Sequence, residues 1–232
     1  MSALWVVIPA AGVGRRMQSE LPKQYLELRG KPIIAYAIER LAALPGVRGV
    51  MVAISETDAF WADVHLTLDV PLWTTTGGVE RCHSVLNALT DLGLHAQEDD
   101  WVLVHDAARP CVRRADLENL IETLKDDEVG GLLAMPVRDT MKRAEPDGRV
   151  VTTEPREGLW HALTPQMFRL GQLRHALEEA IEAEDLVTDE SAAMERAGYR
   201  PRLVAGHGDN IKITRPEDLA LAEFFLQRQA AS

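Results

Sequence analysis

Apolar positions fall into short unbroken runs that alternate with longer stretches of mixed character. Leu4–Ile8 is wholly apolar and stops at Pro9, the pattern of a strand buried on both faces. Val47–Ile54 reads as a second strand and Trp101–His105 as another buried one. Leu72–Thr75, Gly131–Val137, Arg202–Val204 and Asn210–Ile213 are shorter strand candidates. Between these runs, Pro32–Leu44, Glu56–Leu66, Glu80–Leu92 and Asp116–Leu124 carry helix-like patterns. Pro32 suits a first helical turn, and Pro45-Gly46 an end. Pro216–Gln227 places Leu219, Ala222, Phe225 and Leu226 on one side of a final helix. Strands alternating with helices predict an α/β fold, a mostly parallel central sheet with helices on both faces. Such sheets bind ligands beyond the carboxyl ends of their strands.

One segment breaks the alternation. Asp139–Trp160 holds Lys142, Arg143, Arg149 and Arg156 around a Pro146-Asp147-Gly148 turn, with β-prone residues on either side. This predicts a polar hairpin, either a solvated excursion or an arm that grips a second subunit. Composition narrows the setting. The 232 residues suffice for a full core, and 25 Lys plus Arg against 36 Asp plus Glu leave a net charge of −11. That balance argues against general nucleic-acid binding and against a basic membrane-facing patch. No apolar run approaches the ~18–20 residues of a membrane span, and the first residues carry no basic, cleavable leader. Two cysteines, Cys82 and Cys111, are too few for a disulfide scaffold and read as small buried residues. A cytoplasmic setting is expected.

The candidate chemistry starts after the first strand, at Pro9-Ala-Ala-Gly12-Val-Gly14-Arg15-Arg16-Met17, with Pro22-Lys23-Gln24 following. Small residues let a backbone approach a ligand, and exposed amides cradle phosphate oxygens. Met17 stands where a dinucleotide fingerprint needs glycine, and no Walker A sequence is present. Residues 1–31 carry a net +3 within the acidic chain, so a focused anion site is expected; a turn with solvated cations is the plainer alternative. Gly77-Gly78-Val79-Glu80-Arg81 precedes a helix carrying Ser84, as either a base-binding turn or an ordinary strand-to-helix connection with Ser84 facing solvent. His105-Asp106-Ala107-Ala108-Arg109 follows a buried strand, where Asp106 suits a ligand, Mg²⁺ on a substrate phosphate, or an ion pair with Arg109. Late in the chain, Thr164, Thr188 and Lys212 suit a second phosphorylated group; Thr188 or Asp189 could instead cap a helix near Glu190, and Lys212 could sit on a strand edge. The seven histidines show no metal-ligand spacing, and His161 beside Trp160 is expected to be packed or hydrogen-bonded. No hydrolase nucleophile elbow occurs.

Taken in order, Pro9–Met17, Pro22-Lys-Gln24, Gly77–Ser84, Val104–Pro110, Pro136–Lys142, Leu163-Thr-Pro-Gln166, Thr188-Asp-Glu190 and Asp209–Pro216 resemble the 2-C-methyl-D-erythritol 4-phosphate cytidylyltransferases from about Leu4 to Arg228. The resemblance implies a Rossmann-like nucleotidyltransferase fold spanning 1–232 as one domain and a homodimer with 139–160 as its arm. It implies transfer of CMP from CTP to the polyol phosphate with release of pyrophosphate, assisted by a divalent cation, Mg²⁺. It implies Arg16 and Lys23 as the catalytic cations and Arg156 and Lys212 as positioners of the attacking phosphate. Pro9, Ala10, Ala11, Gly12, Gly14, Gly78 and Ser84 would contact CTP. Asp106, Arg109, Thr140, Thr164 and Thr188 would surround the polyol phosphate. Val79 is more apolar than the pattern suggests. The length leaves no room for a second catalytic domain. The rivals are a ribitol 5-phosphate cytidylyltransferase and a non-catalytic nucleotide-binding protein on the same fold.

Overall fold

The computed structural model describes residues 2–12 and 21–230. Its centre is a seven-stranded sheet in the order β11-β7-β10-β6-β1-β4-β5. The inner strands are β1 (Leu4–Pro9), β4 (Val47–Ile54), β6 (Trp101–Val104), β7 (Gly130–Pro136) and β10 (Trp160–Arg169), and the edges are β5 (Leu72–Thr76) and β11 (Arg202–Ala205). Only β10 runs antiparallel to its neighbours, β6 and β7. Two short strands, β2 (Glu27–Leu28) and β3 (Lys31–Pro32), form a separate ribbon.

Alternation along β1 builds the two faces. Leu4, Val6 and Ile8 point to one side, onto Ile34, Ile38 and Leu41 of α1 (Ile33–Ala42) and Leu117, Leu120 and Leu124 of α3 (Arg114–Leu124). Trp5 and Val7 point to the other. There they meet α2 (Arg81–Leu92), α4 (Leu170–Glu182) and α5 (Glu190–Arg196) through Val85, Leu89, Leu173, Leu177 and Met194. Both faces are covered, as near-continuous apolar strands require. Buried Asp100 ties the start of β6 to β1, accepting from the Ala3 amide at 2.7 Å and the Trp5 indole at 3.0 Å. The last helix, α6 (Glu217–Ala230), seats Ala222 and Leu226 on Leu28, Ile33, Cys111 and Ile213. Both cysteines are buried and free. No helix among the described residues is long and apolar enough to cross a membrane.

Several expectations need correction. Glu56–Leu66 contains only one 3₁₀ turn, Trp61–Asp63. Asp58 accepts from the Phe60 and Trp61 amides at 2.9 and 3.0 Å, a local side-chain bond that competes with helix. Asn210–Ile213 is not a strand, because its polar groups bond to loops: the Ile213 amide to the Ala108 carbonyl at 2.9 Å and Asn210 Nδ2 to the Thr164 carbonyl at 2.7 Å. His161 is exposed, as is Trp160. At that end β10 pairs with β7 alone; its pairing with β6 begins only at Gln166.

The polar segment folds as anticipated in shape. β8 (Met141–Ala144) and β9 (Val150–Glu154) make an antiparallel hairpin outside the main sheet. Its side chains are almost all exposed, and polar pairs tie it across: Lys142 Nζ to Thr153 Oγ1 at 2.6 Å and Arg143 to Glu154 at 2.6 Å.

Candidate active site

A cleft of about 250 Å³ opens beyond the carboxyl ends of β1 and β6. Pro9–Gly12 forms one wall and Gly78–Arg81 the facing one, with Lys23, Asp106 and Lys212 also lining it. Backbone bonds set the walls by prolonging the parallel ladder past the strand ends. The Ala10 amide donates to the Ala53 carbonyl and the Gly77 amide to the Ile54 carbonyl, each at 2.7 Å. The two turns then lie so close that only glycine fits. A Cβ on Gly77 would stand 2.3 Å from Ala11 Cβ, and one on Gly78 2.3 Å from His83 Cβ. Ser84 is buried, and its hydroxyl accepts the Gly78 amide at 3.0 Å. It therefore fixes the turn instead of facing solvent.

Lys23 sits in a one-turn 3₁₀ helix, Lys23–Tyr25. Gln24 anchors that turn by donating to the Ala10 carbonyl at 2.6 Å, and Lys23 Nζ donates to the Ile213 carbonyl at 3.2 Å. One lysine thus touches the segment that carries Lys212.

Asp106 is the electrostatic centre. Its Oδ1 meets Arg81 at 3.1 Å; its Oδ2 meets Arg109 at 3.3 Å and Lys212 at 2.9 Å. Burial would raise this carboxyl, but Arg81, Lys212 and Arg109 outweigh it and hold it well below the usual carboxylate range. Arg81 also grips Glu190, only 1% exposed, through two bonds of 2.6 and 3.1 Å. Burial would lower Arg81, yet Glu190 and Asp106 carry it above its ordinary value. Burial pushes Glu190 up, against the pull of Arg81. Arg81, Arg109 and Lys212 thus meet two carboxylates, Asp106 and Glu190, beside Lys23 in a chain whose net charge is −11.

Thr164 and His105 support this centre. The register of β10 on β7 shifts between Ala162 and Gln166. In that irregular interval the Thr164 hydroxyl accepts the Asp106 amide at 3.1 Å and donates to His105 Nδ1 at 2.9 Å. The Arg109 carbonyl can only accept, so His105 Nε2 carries the proton in their 3.0 Å bond. Complete burial pulls His105 down to about 4 and keeps it neutral.

The expected residues separate into groups. Pro9, Ala10, Ala11, Gly12, Lys23, Gly78, Ser84, Asp106 and Lys212 come together around the cleft, with Arg109 bonded to Asp106 behind it. Gly14 and Arg16 lie outside the described residues. Thr140 and Arg156 do not line the cleft; Arg156 is exposed and Nη1 donates to the Arg138 carbonyl. Thr188 is also exposed and outside it, while Asp189 caps α5 by accepting the Ala192 amide at 2.9 Å. The Thr164 hydroxyl is turned to Asp106 and His105, so the cleft does not receive it. Lys212 is an ion-pairing residue on a loop, not a strand-edge lysine. Arg81, Glu190 and Gln24 were missed as site residues. The Arg81–Glu190 contact spans 109 positions, and no local pattern announces it.

The metal question has a geometric answer. Both Asp106 oxygens are occupied by cations, and no group of three or more His, Cys, Asp or Glu side chains among the described residues could hold an ion. Among the described residues the donors present do not make up a set for a resident metal.

The chain matches the family 2-C-methyl-D-erythritol 4-phosphate cytidylyltransferase over residues 4–228. The chain belongs to that family. A cytidylyltransferase of this name from Pseudomonas entomophila is 53% identical over 222 residues, covering 94% of each chain. One from Vibrio vulnificus is 50% identical, covering 99% of this chain and 97% of that one. The crystal structure of the Francisella tularensis enzyme superposes with a TM-score of 0.84 at 37% identity, over 97% of this chain and 100% of the other. A 4-diphosphocytidyl-2C-methyl-D-erythritol synthase structure gives the same score at 36% identity, over 97% and 99%. The sheet and helices are thus those of a nucleotidyltransferase. The protein is a CTP-dependent cytidylyltransferase acting on 2-C-methyl-D-erythritol 4-phosphate, and neither the ribitol phosphate reading nor the non-catalytic one is favoured.

Proposed function

We propose that cytidylyl transfer here runs by in-line attack, with cations supplying the catalysis. An oxygen of the polyol phosphate attacks the α-phosphorus of CTP. The new O–P bond forms as the bond to the β-phosphate breaks, and pyrophosphate leaves with the electron pair. The attacking group is already anionic near neutral pH, so no side-chain nucleophile is needed. The barrier lies in bringing two anions together and in holding charge on the reacting phosphorus.

Lys23 and Arg16 are assigned to the α-phosphate, and Lys212 and Arg156 to the attacking phosphate. Ala10, Ala11 and Gly12, with Pro9 and Gly14, cradle CTP, while Gly78 and Ser84 shape the turn against its base. Asp106, Arg109, Thr140, Thr164 and Thr188 are assigned to the polyol phosphate, with Thr164 acting by holding Asp106. Asp106 can yield Lys212 to an incoming phosphate because Arg81 and Arg109 remain on it. Mg²⁺ enters as part of the substrate, on the triphosphate, where it assists the leaving group. The functional unit is a homodimer in which the 139–160 arm carries Thr140 and Arg156 toward the other chain's cleft. The enzyme works in the cytoplasm.

The observation that carries this assignment is the convergence of Lys23 and Lys212 on a cleft walled by the Pro9–Gly12 backbone. The test is pyrophosphate release from CTP and Mg²⁺ with methylerythritol 4-phosphate or ribitol 5-phosphate. Strong preference for the first is expected. Lys23→Ala should lower kcat by roughly 10²–10³-fold, the range for losing one preorganised charge contact, while CTP still binds. Near-normal turnover in that variant would remove Lys23 from its role.

A further inference from the structure

A second cavity, of about 950 Å³, opens between α1, α3 and α6 and shares no lining residue with the cleft. Among the described residues five arginines line it, Arg29, Arg40, Arg113, Arg114 and Arg228, against a single carboxylate, Asp209. They come from the β2–β3 turn, α1, the start of α3 and the end of α6, so the fold gathers them from four places. In a chain of net charge −11 this is a concentrated cationic pocket.

Its internal contacts tie down part of that charge, and Arg40 donates to the Val112 carbonyl at 2.6 Å. Arg113 donates to Asp209 Oδ2 at 2.7 Å. Arg114 pairs with Glu118, but their side chains are 64% and 52% exposed, so that pair is weak. Arg29 has no salt-bridge partner among the described residues. The wall is also aromatic. Phe224 is 49% exposed beside Phe225, and the Arg228 guanidinium lies 5.8 Å from the centre of its ring.

Forked guanidinium groups match phosphate oxygens, and an exposed phenyl ring matches an apolar body. We propose that this cavity is a binding site for a small organic phosphate bearing an aromatic or other apolar group, distinct from the catalytic cleft. It stands independently of the roles assigned to the cleft.

The probe is 1-naphthyl phosphate, titrated by fluorescence and calorimetry into the full chain with CTP and Mg²⁺ already saturating the cleft. Saturable one-to-one binding is expected, with 1-naphthol and inorganic phosphate each at least tenfold weaker. Arg114→Glu and Phe224→Ala, both at exposed positions, should each weaken the probe at least tenfold without changing CTP affinity. Absence of binding to the natural chain, displacement by added CTP, or equal binding by both variants would each overturn the site. Light scattering covers the remaining occupant. Loss of particle mass in Arg114→Glu, with no probe bound by the natural chain, would make this surface a contact between copies and refute the ligand site.

Discussion

Arg81 offers the sharpest test of how the site is held. Its guanidinium bridges Asp106 at 3.1 Å and Glu190 at 2.6 and 3.1 Å, and Glu190 has no other side-chain partner among the described residues. Arg81→Met would leave Glu190 buried at 1% exposure without a counter-charge. Breaking a buried pair from one side costs about 3–5 kcal/mol, because the surviving charge stays desolvated. Asp106 suffers less, since Arg109 and Lys212 remain on it. Arg81→Lys keeps the charge but not the fork, so one ammonium must choose between two carboxylates; about 1–3 kcal/mol is expected. Glu190→Leu in the Arg81→Met background should recover much of the loss, since both ends are then apolar. Urea unfolding at pH 7 of the natural chain, both single variants and the double gives a thermodynamic cycle. The interaction free energy should be about 2 kcal/mol or more. A cost below about 1 kcal/mol for Arg81→Met, with additive behaviour in the cycle, would show that the triad does not hold the site together.

Three further outcomes follow from the geometry. Gly78→Ala puts a methyl 2.3 Å from His83 Cβ and 3.3 Å from the His83 backbone; it should lower stability by about 1–3 kcal/mol and weaken CTP binding, and unchanged thermal denaturation and calorimetry would refute the close approach. His105 titrates near 4 in the fold against 6.5 for its free form, so its neutral state stabilises the protein fully above 6.5, and that contribution is lost as pH falls toward 4. The loss is on the order of 3 kcal/mol; His105→Gln should flatten the pH 4–6.5 stability slope measured by urea unfolding, and an identical slope would contradict the buried neutral imidazole. If the proposed dimer arm is right, removing 142–153 should lower the particle mass from that of two chains toward one in light scattering, on the ground that the β8–β9 hairpin is too polar and exposed to be core; an unchanged mass would sink the arm.

What the sequence made legible, and what it hid, follows from the range of the interactions. Strands β1 and β6 are apolar runs buried on both faces, as is β4 past its exposed Arg48, and that pattern is local. The glycine turns are local too, since a backbone on which an added Cβ would stand 2.3 Å from a neighbour's Cβ admits little but glycine. The helical spacing of Leu170, Leu173, Ala176, Leu177 and Ala180 in α4 is equally local and could have been read. β10 was harder, because it leaves the core at Trp160 and His161 and its register breaks around Thr164, blurring any strand period. The Glu56–Leu66 stretch misled through Asp58, whose carboxylate caps the Phe60 and Trp61 amides and ends the helical option. The Asp106 centre joins Arg81, Glu190 and Lys212 across separations no local pattern encodes. The motifs therefore locate the walls of the cleft, whereas the ion network beside them is a product of the fold. In that network Asp106 is held by three cations at once, so the surrender of Lys212 proposed above would leave the carboxylate still paired with Arg81 and Arg109.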